Sequence, residues 1–133
     1  MAMGFFEKLF GPAPKVVPPV HIDDENFRDE VLRSKEPVLL DVWSDGCAPC
    51  RQLEPIVLKL SAAYQGRVKV AEVNAAAAPR ALRRLGVMGT PTVIYFRRGR
   101  EVERVVGVRG EHYHREVIEA RLLAASEPYV KPA

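Results

Sequence analysis

Two cysteines stand three residues apart in Cys47-Ala48-Pro49-Cys50, and the chain holds no others. They follow an apolar run and open a helical pattern, so both fall in one helical turn. Side chains at that spacing have Cβ atoms about 5 to 6 Å apart, and a modest adjustment closes a disulfide. Pro49 suits a first helical turn and stiffens the small ring. The partial positive charge at a helix N-terminus favours a thiolate at Cys47. A thiolate at neutral pH is a nucleophile, and in the reverse step a good leaving group. The chemistry open to this pair is thiol–disulfide exchange.

Asp41 is the second candidate. It interrupts Val38-Leu39-Leu40-Asp41-Val42-Trp43, an otherwise apolar run with the pattern of a strand buried on both faces. A carboxylate there bears a desolvation cost and is expected to keep its proton to higher pH. A proton shuttle near neutrality needs that property. The plainer alternative is an aspartate satisfied by local hydrogen bonds.

Two other roles for the cysteines are open but disfavoured. Half of a zinc site would need two further ligands from His21, His112 and His114. The last two are two apart at a helix start and do not share a face, so no metal is expected. A pair of inert core cysteines fits poorly too, because proline between them at a strand–helix junction is poor core design. Redox chemistry needs no cofactor, since the sulfurs carry the electrons.

The surrounding pattern supplies elements to hold these groups. Val20-His21-Ile22 is a short strand, and Asp23-Asp24-Glu25-Asn26 offers helix-start chemistry before Phe27, Val31 and Leu32. After the buried strand a helix is expected from about Pro49 to Tyr64, kinked at Pro55. Val68 to Val73 reads as a strand and Pro79 to Leu85 as a short helix stopped by Gly86. Thr92 to Phe96 and Val102 to Val106 flank Arg97-Arg98-Gly99-Arg100 as a hairpin, and a helix from Glu111 to Ala124 comes last. Strands and helices that alternate and then end in a hairpin predict an α/β fold, a mixed sheet with helices on both faces.

With 133 residues, 47% hydrophobic and 28% charged, the chain has material for one well-buried core. The expected organisation is an extension over 1–19, a body over 20–125 and a tail over 126–133. The extension joins a Phe-rich start to a stretch, 11–20, holding four of the eleven prolines. A net charge of +3 with interspersed signs argues against nucleic acid as a partner. No run approaches the ~18 to 20 apolar residues of a membrane span. The start of the chain lacks the pattern of a secretory signal, so the cytoplasm is the default expectation.

Several separated motifs together resemble one family. Trp43-Ser44-Asp45-Gly46-Cys47-Ala48-Pro49-Cys50-Arg51, preceded by Leu40-Asp41-Val42, resembles the thioredoxin active site. Glu54-Pro55 is similar to that family's kinked helix and Gly89-Thr90-Pro91 to its cis-proline loop, while Gly99 and Gly107 fall at its spacings. The resemblance covers about residues 20 to 124. It implies a thioredoxin fold and a dithiol–disulfide oxidoreductase reducing protein disulfides. It implies that Cys47 attacks the client, that Cys50 resolves the mixed disulfide, and that Asp41 moves the proton. Trp43, Gly46, Ala48, Pro49, Val87, Met88, Gly89, Thr90, Pro91, Gly107 and Val108 would form the docking surface. Protein clients and a thioredoxin-reductase-like electron donor are the implied partners. A redox partner of one client, addressed by the N-terminal segment, and a non-catalytic binding or holdase module are the rival functions.

The sequence departs from the family in five places. Gly46 replaces a second tryptophan, Ala48 a usual glycine, and Glu72 a lysine near the buried acid. A carboxylate for an ammonium is expected to raise the proton affinity of Asp41 and couple the two groups. Phe5, Phe6, Leu9 and Phe10 can share one face of a short helix. They are expected to pack on the body, or to contact a partner or a membrane surface. Ala75-Ala76-Ala77-Ala78 has no functional explanation.

Overall fold

Five strands form one sheet in the order β1-β3-β2-β4-β5. The structure, a computed structural model, describes residues 4–11 and 15–125. The strands are β1 (Val20–Ile22), β2 (Val38–Trp43), β3 (Lys69–Asn74), β4 (Thr92–Arg97) and β5 (Arg100–Val106). β1, β3 and β2 run parallel, while β4 and β5 are antiparallel to their neighbours. The helices are α1 (Phe5–Phe10), α2 (Ala48–Ala63), α3 (Pro79–Leu85) and α4 (Glu111–Val117). Parallel neighbours need long crossovers, and the Arg28–Leu32 segment and α2 supply them.

Alternation along β2 divides the core in two. Val38, Leu40 and Val42 join Ile22, Phe27, Val31, Ile94 and Phe96 on one face, where α3 adds Ala81 and Leu82. Leu39 packs on the other face with Val70, Val93 and Tyr95, under Leu53, Val57 and Leu60 of α2 and under Ile118 and Leu122. Each fully buried aliphatic side chain contributes about 1.5–3 kcal/mol. Helices therefore cover both faces of a mixed α/β sheet, as the sequence pattern predicts.

Two elements differ in detail from expectation. The Asp23–Asn26 start forms, with Asp23 Oδ1 accepting from the backbone N–H of Glu25 (2.8 Å) and Asn26 (2.9 Å). It leads into only a π-helical turn, Arg28–Leu32. The last helix changes from α to π geometry at Ile118–Leu122. α2 is one continuous helix with Pro55 inside it. The hairpin turn fits under the early π turn: a Cβ on Gly99 would stand 2.3 Å from the Leu32 carbonyl oxygen.

α1 forms from the Phe-rich start, but Phe5, Leu9 and Phe10 remain largely exposed. Part of the Pro-rich stretch, residues 12–14, and the tail from 126 lie outside the described residues.

Candidate active site

β2 ends at Trp43 and α2 begins at Ala48, so residues 44–47 form a short strand-to-helix turn. Gly46 has φ +73°, a left-handed conformation that a tryptophan side chain would strain. Cys47 is the N-cap of α2, and its Sγ accepts a hydrogen bond from the Cys50 N–H at 3.2 Å. The two sulfurs are joined as a disulfide, with Cα atoms 5.3 Å apart. Cys50 is buried and Cys47 partly exposed. One sulfur is therefore open to solvent at the positive end of a helix, and the other is shielded behind it.

Asp41 is 6% exposed, and its Oδ1 has no hydrogen-bond partner among the described residues. The described residues supply no local hydrogen bond to that oxygen. Burial, then the negative charge of Glu72, then that of Glu54, push its carboxyl up to about 7. A cleft of about 360 Å³ admits solvent to this acid and is lined by Asp41, Trp43, Cys50, Glu54, Leu58 and Glu72. The expected influence of Glu72 on Asp41 is therefore present, second to burial.

Strand register explains why Glu72 lies there. Asp41 of β2 is level with Glu72 of β3, and Glu72 with His21 of β1. Side chains at the same level point to the same face. Glu72 Oε1 lies 2.7 Å from His21 Nδ1, and Glu72 Oε2 accepts from the Trp43 indole N–H at 2.5 Å. The Glu72 carboxylate thus joins two flanking groups one strand away from Asp41. Sequence reasoning considers His21 only as a metal ligand. The signal that could have found its role is the pairing of β1 with β3.

The Thr90–Pro91 bond is cis. Its loop is tied to the cysteine turn by a 2.6 Å hydrogen bond between Ser44 Oγ and Thr90 Oγ1. Gly107 N–H donates to the Pro91 carbonyl at 2.9 Å, and Thr92 Oγ1 donates to the Gly89 carbonyl at 2.7 Å. Ser44 is the tie that the motif reading missed. Pro91 is buried, Thr90 is partly exposed, and Met88 beside them is 97% exposed. Val87 and Gly107 are half-buried, while Gly46, Ala48, Pro49, Gly89 and Val108 are exposed.

The three histidines do not gather around the cysteines. His21 pairs with Glu72, His112 with Glu116, and His114 is buried against Tyr95. Among the described residues no three potential ligands converge on a metal position.

Comparison with known proteins agrees with this geometry. Residues 18–120 match the family model described as Thioredoxin. The chain is 45% identical over 84 residues to a thioredoxin of Thiocapsa roseopersicina, covering 63% of this chain and 91% of that protein. It is 38% identical over 86 residues to thioredoxin 1 of a Nostoc species, covering 65% and 80%. It is 36% identical over 88 residues to a thioredoxin of Rickettsia bellii, covering 66% and 84%.

Proposed function

The chain belongs to the thioredoxin family and is a thiol–disulfide oxidoreductase that reduces protein disulfides, and on that premise we propose how its residues divide the reaction. In the dithiol state the Cys47 thiolate attacks one sulfur of a client disulfide. A Cys47–client bond forms, the client S–S bond breaks, and the expelled client sulfur takes up a proton. The Cys50 thiol then gives its proton to the Asp41 carboxylate and attacks Cys47 Sγ. The intramolecular disulfide forms, and the second client sulfur leaves and is protonated. Two electrons pass from the cysteine pair to the client. A reductase-like donor returns two electrons and two protons for the next cycle.

The observation that supports this division best is the placement of the acid. Asp41 lies buried and unpaired on the same cleft as the shielded sulfur, with a proton affinity near neutrality. A carboxyl that is half-ionised at working pH can accept and return a proton with little cost in either direction. Trp43, Gly46, Ala48, Pro49, Met88, Gly89, Thr90, Pro91 and Gly107 are assigned to client docking, with the Thr90 backbone offered to an extended client segment. The reductive direction suits the cytoplasm, whose poise keeps thiols reduced.

The test is a two-phase reaction of the reduced protein with 5,5′-dithiobis(2-nitrobenzoic acid). Cys47→Ser is expected to abolish both phases. Cys50→Ser is expected to leave the first and stop at a mixed disulfide visible by mass spectrometry. Asp41→Asn is expected to slow the second phase selectively. Loss of the first phase in Cys50→Ser with Cys47 intact would reverse the two sulfur assignments.

A second role, in which residues 1–19 address one client to a catalytic body spanning 20–125, draws on the exposed side chains of α1. Deleting residues 1–15 would then weaken binding to that client and leave reduction of generic disulfides unchanged.

A further inference from the structure

One level of the sheet bears three ionisable side chains in a row: His21 on β1, Glu72 on β3 and Asp41 on β2. The row ends on β4 at Val93, which is apolar and fully buried. Glu72 occupies both its oxygens with neighbours, the His21 ring at 2.7 Å and the Trp43 indole at 2.5 Å. The carboxylate is thereby held in one place instead of swinging toward solvent. His21 is the outer member, with its side chain 63% exposed. It is open to bulk pH, whereas Asp41 meets water only through the cleft.

We propose that His21 and Glu72 are positioning residues for the proton step. Glu72 presents a fixed negative charge to Asp41, and His21 sets how much of that charge Asp41 feels. The proposal deepens the assignment of Asp41 as proton acceptor and rests on it.

The charges involved are few. Asp41 faces Glu72 from β3 and Glu54 from α2, and Cys50 of α2 lines the same cleft. Arg51 and Asp45 stand at the cleft wall. His21 faces Glu72 and, more weakly, Asp23. A cation at His21 offsets the Glu72 charge and makes Asp41 easier to ionise. When His21 loses its proton the full Glu72 charge returns, and Asp41 holds its proton more tightly. The hydrogen bond to Glu72 and that residue's charge raise the His21 imidazolium above its ordinary range. Rising pH thus has opposite effects on the acid: it draws off the Asp41 proton directly and strengthens its retention through the row.

The direct test is a carboxyl carbon NMR titration of Asp41 in the oxidised full-length protein. Glu72→Gln is expected to move the Asp41 midpoint down, and Glu72→Lys further down, by about one pH unit or more. His21→Gln is expected to move it up by a smaller amount, because an exposed cation is screened. His21→Lys, which keeps the cation, is expected to leave it at or below the starting value. In the Glu72→Gln background, His21→Gln is expected to have no further effect. A midpoint unmoved by Glu72→Gln or His21→Gln, or a His21 effect that persists without the Glu72 charge, would overturn the proposal. The exposed His21 variants keep the test decisive if a Glu72 substitution disturbs folding.

The second-phase pH profile of the nitrobenzoate reaction supplies an independent readout. It is expected to shift in the same direction as the NMR midpoint in each variant. If Asp41→Asn leaves that profile unchanged, Asp41 is not the proton acceptor, whereas the titration still measures the row. A midpoint that moves as expected while the profile does not would confine the row to electrostatics and remove its part in the reaction.

Discussion

The two faces of the central sheet are built from the same strands but to different rules. The face under α3 and the early π turn is packed with aliphatic side chains and phenylalanine, among them Leu40, Val42, Ile94 and Phe96. The face under α2 and α4 contains buried ionisable groups, Asp41 and His114 among them, beside an equally dense apolar cluster. β2 serves both, since Leu40 and Val42 point one way and Asp41, between them, points the other. The contrast shows where this protein stores instability. One face maximises burial, and the other accepts a buried acid on the cleft that Cys50 also lines.

The largest stability effect expected from this contrast is at Asp41. Its folded-state proton affinity is raised from an ordinary 3.8 to about 7. The protonated form is thus compatible with the fold, and stability is lost as pH rises through that interval. Asp41→Asn should stabilise the oxidised protein by roughly 4 kcal/mol at pH 8, with the gain vanishing below pH ~4. Denaturant melts at both pH values would show it. Destabilisation at pH 8 would mean that the acid is better accommodated than its unpaired oxygen indicates.

On the same face His114 gives the opposite slope. Burial drives its imidazole down from 6.5 to about 4, so it folds neutral. Stability is lost as pH falls from its unfolded value through the folded one. The full loss is roughly 3 kcal/mol. Between those limits the Asp41 and His114 slopes oppose each other. His114→Gln should therefore uncover, in melts across that range, a decline in stability with rising pH that the parent protein partly hides.

The apolar face should show a loss without a pH signature. Leu40→Ala is expected to cost about 3 kcal/mol, equal in melts at roughly pH 5 and pH 8. It should leave the pH profile of disulfide reduction unmoved. A pH-dependent cost there would blur the distinction between the faces. The smallest effect is expected at Tyr95, whose hydroxyl is hydrogen-bonded to His114 Nδ1. Tyr95→Phe should cost about 1 kcal/mol and raise the affinity of His114 for its proton little, because burial dominates it.

Much of this was legible in the residue order. Periodicity located the buried strand, the helix after the cysteines and the hairpin, because alternation and helical spacing are local properties. The lengths of the first and last helices of the body were not, since both are limited by what they pack against. The cysteine pair was visible from spacing alone, as both sulfurs lie on one helical turn. Asp41 stood out as a charge within an apolar strand. The hydrogen bond between Ser44 and Thr90 joins residues 46 apart, and no local pattern encodes such a distance.

The sequence by itself determined the chemistry: two sulfurs at a helix start, an acid in a buried strand, and the strand–helix order that brings them near. Only the tertiary structure decided the electrical setting of that chemistry. The parallel pairing of β1, β3 and β2 puts His21, Glu72 and Asp41 in one row although 51 residues separate the first two. Burial and charge act through space, so the proton affinity of Asp41 depends on which strands become neighbours and in what register. That is a property of the folded sheet and of no single segment.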